Sequence, residues 1–166
     1  YYKEGHPETE IAYMGCRTRV MGNVYDPERE VSPRRGNLSF TSINLPRLGY
    51  RSKGNDTALF KNLRAMMELA VKAHLQKKYF IESLLALGET GPLALLTMAT
   101  DGAPYLRMHR ASFLIGMVGL NELVKIHTNE GLQESKRALK FGLKVISEMS
   151  LLCKQYSEMY NMHFVL

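Results

Sequence analysis

Two cysteines, Cys16 and Cys153, are too few and too far apart in 166 residues to staple a domain. No disulfide framework is expected, and a reducing, cytoplasmic compartment is. No apolar run approaches the roughly 20 residues that a membrane-spanning helix needs; the longest, around Phe113 to Leu120, excludes a membrane helix. Internal repeats and low-complexity segments are missing. The start, Tyr1 to Ile11, has neither an initiator methionine nor the basic, apolar and small-residue regions of a signal peptide. The end, His163-Phe164-Val165-Leu166, is an apolar strand-like run, so the chain reads as a piece of something longer. No cluster of metal-ligating residues is visible: His109 and His163 are isolated and are expected to be satisfied core or surface histidines.

What is present begins with charge. The formal net charge is +6, yet the basic residues are dispersed. Lys136, Lys140 and Lys144 recur every four residues and would make one solvated helical stripe. Arg17, Arg19, Arg34, Arg35 and Arg47 crowd around the first cysteine and the segment after it, which suits a nucleoside phosphate as well as it suits a polymer. A nucleic-acid-binding module needs basic residues interleaved with exposed aromatics. Tyr1, Tyr2, Tyr13, Tyr25 and Phe40 show no such interleaving.

Turn formers fill residues 20–36, which read as an irregular loop. Leu38 to Asn44 then alternates as a strand, with Leu38 and Phe40 on one face and Asn37, Ser39, Thr41 and Ile43 on the other, and is expected to end at Pro46. Asp56 is a candidate cap for a long helix reaching Leu87, with its stripe at Leu59, Leu63, Met66, Ala70, Ala73 and Lys77 and its stop at Gly88. A short helix is expected at Leu93 to Met98. Ala111 to Val118, broken only by Gly116, reads as a strand buried on both sides. Helices follow at Gly119 to Ile126 and at Leu132 to Tyr160. The second has its stripe at Ala138, Phe141, Val145, Met149, Leu152, Tyr156 and Met159, and a third strand begins at His163. The methionines, Met66, Met149 and Met159 among them, are expected in the core. Strand, long helix, strand, long helix, strand is the order of a parallel α/β unit with right-handed crossovers.

Cys16 has two readings, a small buried hydrophobe or a reactive thiol. Gly15 before it and Arg17-Thr18-Arg19 after it do not resemble a core segment. No histidine near it in sequence offers a general base, His6 being ten residues back, so thiolate catalysis is not signposted. On the strand, Asn37, Ser39 and Thr41 stand out because parallel strands usually read apolar on both faces. If Leu38 and Phe40 pack beneath helices, the small polar groups line the opposite surface, where a ligand or water satisfies them; the alternative is an edge strand with a wet face.

Three separated stretches, in order, carry a resemblance. They are Met14-Gly15-Cys16-Arg17, then Arg35-Gly36-Asn37-Leu38-Ser39-Phe40-Thr41-Ser42-Ile43-Asn44-Leu45-Pro46-Arg47-Leu48, then Ser112-Phe113-Leu114-Ile115-Gly116-Met117-Val118-Gly119-Leu120-Asn121-Glu122. Together they resemble the anaerobic (class III) ribonucleoside-triphosphate reductases, over most of the chain. The resemblance implies part of a ten-stranded α/β barrel of the glycyl-radical enzyme type, with a finger loop and its flanks in 1–36 and a strand-helix-strand-helix-strand unit in 37–166. It implies that Cys16 is the thiyl that removes the ribose 3′ hydrogen and that Asn37 or Asn44 hydrogen-bonds substrate or reductant; the polar strand face and the basic cluster add Ser39, Thr41 and Arg17 as expected substrate contacts. Of the asparagines, alternation favours Asn37 because it shares the Ser39 and Thr41 face.

The resemblance further implies a glycyl radical installed by an S-adenosylmethionine/iron–sulfur activase, a zinc site outside this segment, and formate or a redoxin as reductant. The implied partners are ribonucleoside triphosphates, dNTP and ATP effectors, the activase and a second copy of the protein, with no membrane and no nucleic acid among them. No cofactor is expected on the segment itself, and no family role is carried onto Cys153. A glycyl-radical acyltransferase or lyase on the same barrel is the enzyme-class rival, although the acyltransferase type uses adjacent cysteines and Gly15-Cys16-Arg17 offers one.

Overall fold

In a computed structural model the described residues are 11–14, 18–21, 36–99 and 102–166. The first element pair is an antiparallel hairpin, β1 (Ile11–Met14) with β2 (Thr18–Met21), in which Met14 faces Thr18 and Ile11 faces Met21. Three strands form the second sheet: β3 (Asn37–Asn44), β4 (Ser112–Val118) and β5 (His163–Val165), parallel and in the order β3-β4-β5. The expected strand-helix-strand-helix-strand order is therefore present.

Helices supply the connections. α1 (Leu45–Ser52) starts where the strand was expected to fade. Pro46 belongs to its first turn, where a missing N–H costs nothing and a fixed φ is already helical; the proline marks a helix start as much as a strand end. α2 (Asp56–Leu85) is about 45 Å long at the usual rise, and its cap is Asn55, whose Oδ1 accepts from the N–H of Ala58 at 2.9 Å. Asp56 is not the cap. α3 (Ala94–Thr97) is flanked by 3₁₀ turns at Gly88–Thr90 and Met108–Arg110. α4 (Leu120–Thr128) follows β4 through Gly119, which is left-handed at φ 76; a Cβ there would lie 2.4 Å from Pro46 Cγ, so only glycine fits. α5 (Lys136–Tyr160) is capped by Ser135, whose Oγ accepts from the N–H of Ala138.

The chain divides into two compact units, one of Tyr1–Leu38 and Tyr79–Ser112, the other of Ser39–Lys78 and Phe113–Leu166. The second unit has a dense core. Leu59, Leu63, Met67 and Val71 of α2 are almost fully buried, as are Phe113 and Ile115 of β4 and Val145 and Met149 of α5. The α2 stripe thus passes through Met67 and His74 rather than Met66, Ala73 and Lys77. Met159, expected in the core, is 69% exposed, while Gly142 and Cys153 join the buried face of α5. Ser157 ties the end of α5 to β5, donating to the Cys153 carbonyl and accepting from the N–H of Phe164 at 3.0 Å.

Candidate active-site segment

Cys16 and Arg17 lie outside the described residues. The described strands nearest to them in sequence are β1, ending at Met14, and β2, beginning at Thr18.

The faces of the sheet follow from three contacts. His74 of α2 meets Phe113 and Phe164 edge-on or tilted, with ring centroids 5.7 and 6.0 Å apart, so those two side chains point to α2. Gly116, three residues after Phe113, points the other way, and a Cβ added to it would sit 3.0 Å from Ser42 Oγ. Because side chains alternate along a strand, Phe40 and Ser42 share the open face with Gly116 and Leu114, while Ser39, Thr41 and Ile43 share the α2 side. Exposure agrees: Ile43 and Ser39 are buried, whereas Phe40 is 75% exposed.

This reverses the expected facing of β3. Leu38 and Phe40 do not pack beneath the helices; Ile43 and the small Ser39 do. Hydrophobicity was a poor guide here because the sheet's α2 side is already filled by the bulky Phe113, Ile115, Phe164 and His74, so a serine fits opposite them. β4 is buried at Phe113 and Ile115 on its α2 side, while on the other face Ser112 is buried, Leu114 and Gly116 are half-buried and Val118 is exposed.

The other sequence-picked residues are placed as follows. Asn44 caps α1, its Oδ1 accepting from the N–H of Arg47 at 3.1 Å, which accounts for its side chain structurally. Asn37 is half-buried at the first position of β3, and its Oδ1 is buried without a hydrogen-bond partner. Ser39 Oγ is also buried and unpartnered, and Thr41 is half-buried. Cys153 is a buried thiol in α5, pushed up to about 11 by desolvation, which makes it a poor nucleophile. His109 is exposed and His163 half-buried. Among the described residues, no group of three or more His, Cys, Asp or Glu could hold a metal ion, and no helix is long and apolar enough to cross a membrane.

Two histidines that the sequence did not single out do structural work. His74 is fully buried and donates Nε2–H to the main-chain carbonyl of Leu114 at 2.9 Å. Its Nδ1 is buried and unpartnered, so a second proton would have no acceptor; desolvation holds its pKa below the ordinary histidine value. The helical spacing of His74 from Ala70 and Val71 was the available signal. His127 stacks on Phe141 at 4.7 Å and donates to Asp56 Oδ1 at 2.8 Å, while Lys144 approaches Asp56 Oδ2 at 3.6 Å. The His127 hydrogen bond leads the effects that hold the Asp56 carboxyl below its usual range. This trio joins α2, α4 and α5, and Asp56, read from the sequence as a cap, is its centre.

Parallel strands joined by long helices, each of the first two strands running directly into a short helix, make this an α/β segment of the crossover type. The model of the anaerobic ribonucleoside-triphosphate reductase family matches residues 1–166, and the chain belongs to that family. The anaerobic ribonucleoside-triphosphate reductase of Salmonella typhimurium is 26% identical over 156 residues, covering 87% of this chain and 21% of the relative. The Escherichia coli protein of the same description is 24% identical, with the same two shares. The crystal structure of the anaerobic ribonucleotide reductase from Thermotoga maritima with citrate in the active site superposes with a TM-score of 0.66 at 20% identity, over 79% of this chain and 24% of that one. At that identity the likeness is one of fold. The chain spans about a fifth of the length of the curated relatives it matches.

Proposed function

We propose that the polypeptide carrying this chain reduces ribonucleoside triphosphates to 2′-deoxyribonucleoside triphosphates under anaerobic conditions, with Cys16 as the transient thiyl. The observation that carries this reading is the family match over residues 1–166, which includes Met14-Gly15-Cys16-Arg17.

In this reading the Cys16 sulfur takes the ribose 3′ hydrogen as a neutral atom. The S–H bond forms as the C3′–H bond breaks, and the unpaired electron passes to carbon. The 2′ hydroxyl leaves as water, two electrons come from formate or a redoxin, and return of the hydrogen atom from the thiol restores the sulfur radical. No base is needed at Cys16, so the absence of a neighbouring histidine in sequence is no objection. Radical supply belongs to a glycyl radical outside this segment, installed by the activase, and the zinc site also lies outside it.

Of the two asparagines we favour Asn37, because Asn44 is engaged as a helix cap while the buried Asn37 Oδ1 still lacks a donor such as a substrate hydroxyl. The strand-alternation ground is withdrawn for Asn37, Ser39 and Thr41 alike with the facing of β3; the Oγ of Ser39, also buried and unpartnered, keeps the same ground as Asn37. Structures of the Thermotoga maritima enzyme with dATP in the specificity site, and with dATP and CTP, support nucleotide effectors and substrates for the whole protein. A homodimer and cytoplasmic location remain part of the reading.

Cys16→Ser in the full-length polypeptide tests it. An O–H bond is too strong to be converted into the abstracting radical, so deoxynucleotide formation is expected to vanish while nucleotide affinity changes little; substantial turnover in the serine variant would remove Cys16 from the mechanism. Asn37→Ala should lower turnover more than it lowers the thermal midpoint.

A further inference from the structure

His74 is a fully buried titratable group that the proposed chemistry does not use. Its Nε2–H donates to the main-chain carbonyl of Leu114, in the central strand of the sheet, at 2.9 Å. Its ring meets Phe113 and Phe164, and the buried Nδ1 has no hydrogen-bond partner. A second proton would find no acceptor in these surroundings. β3 turns Ser39 and Thr41 to this side, β4 turns Phe113 and Ile115, and β5 turns Phe164, none of them charged; His163 alternates to the opposite face. From α5, Tyr160 packs on Phe164 and Cys153 is buried, and both are neutral in acid. On α2 itself Lys77 bears on the imidazole with a positive charge, and Glu68, the nearest acid upstream, is bonded to Lys72. A buried imidazolium with an unaccepted N–H is costly in such a site. His74 is also the last buried residue of α2. Leu59, Leu63, Met67, Ala70 and Val71 seat the helix upstream of it, so its end can part from β4 without unseating the rest.

We propose that His74 is an acid-operated latch, in which protonation of the imidazole parts the end of α2, residues 74–85, from β4 while the core upstream stays closed. In the closed form the ring carries one proton and gives it to the Leu114 carbonyl. In the open form both nitrogens meet water and the ring titrates as an ordinary histidine, so the open form binds the second proton and gains population as pH falls. Acid denaturation in general works through carboxylates spread over a fold and unfolds it as a whole; the latch acts at one side chain and opens one helix end. Every group it uses lies within residues 39–166, so it holds whether or not the reductase reading does.

Amide hydrogen exchange of the full-length polypeptide tests it, with rates corrected for the intrinsic effect of pH. Protection of the main-chain N–H groups of residues 75–78 is expected to fall by up to about tenfold between pH 7.5 and 5.5, the limit set by an ordinary histidine value near 6.5. In urea below the unfolding transition that protection should stay nearly constant, while protection of the N–H groups of Val145 and Met149 falls, because a local opening exposes little surface. His74→Gln keeps a donor for the Leu114 carbonyl but takes no proton, and His74→Leu fills the site without a titrating group; in both, protection at 75–78 should not depend on pH. A change under about twofold in the parent protein, or the parent's full pH dependence in either variant, overturns the latch. A urea dependence at 75–78 as steep as that at Val145 shows that the whole core opens together and overturns it as well.

Discussion

The unit of Ser39–Lys78 with Phe113–Leu166 and the stretch of residues 79–109 use the same kinds of side chain to opposite effect. In the first, Leu59, Leu63, Met67, Phe113, Ile115 and Met149 from three elements converge and disappear from water. In the second, Leu84, Leu85, Leu93, Leu96, Leu106 and Met108 are only half-buried. Apolar content alone therefore does not decide how completely side chains are buried; packing against a facing element does. The unit with its own core also shows long-range polar ties, the His74 hydrogen bond to β4 and the Asp56, His127 and Lys144 trio.

The contrast can be broken most forcefully at Phe113. Phe113→Ala should cost about 3–5 kcal/mol in urea unfolding, the usual range for emptying a fully buried aromatic site. A loss below about 1 kcal/mol would mean that the core is not cooperative.

His74 sharpens the same contrast through pH. Its folded-state pKa is depressed below the unfolded value, so the unfolded chain binds the extra proton first as pH falls. The stability contribution of His74 is fully present above its unfolded pKa and is lost progressively as pH falls below about 6.5 towards the folded value. Replacement by leucine should flatten this part of the stability–pH curve; an unchanged slope between pH 7 and 5 would show that another group is responsible.

A smaller effect is expected at the start of α2. Asn55→Ala removes the cap acceptor for Ala58 and should cost about 1 kcal/mol. Asp56→Ala instead cuts a link to α4 and α5 at an exposed carboxylate, and should cost less than about 1 kcal/mol. An Asp56 loss larger than the Asn55 loss would return the capping role to Asp56.

The smallest effect should come from the second region. Leu95→Ala in the chain of residues 1–166 should change stability by no more than about 0.5 kcal/mol, since the side chain is exposed. A loss of the size seen at Phe113 would place Leu95 in a core and erase the contrast.

Much of the element order was legible beforehand. Caps, prolines and helical spacing act over a few residues, so α2, α5, β4 and β5 were found within a few positions of their ends. α1 was missed because Asn44-Leu45-Pro46 satisfies both a strand ending and a helix start, and only the packing of α1 against α4 decides between them: a Cβ on Gly49 would lie 3.0 Å from Leu123. The family was legible because three motifs kept their order across the chain, and the match over residues 1–166 agrees.

What the sequence by itself determined was periodic and local: where strands and helices lie, that Cys153 is a core thiol, and which motifs surround Cys16. Only the tertiary structure decided which side of β3 is covered. Alternation divides residues into two faces without naming the one that meets a helix, and that choice rests on partners far away in sequence, His74 and Phe164 around Phe113 and Ser42 against Gly116. It likewise decided that Asp56 pairs with His127 and Lys144, since a hydrogen bond across 71 residues leaves no local trace.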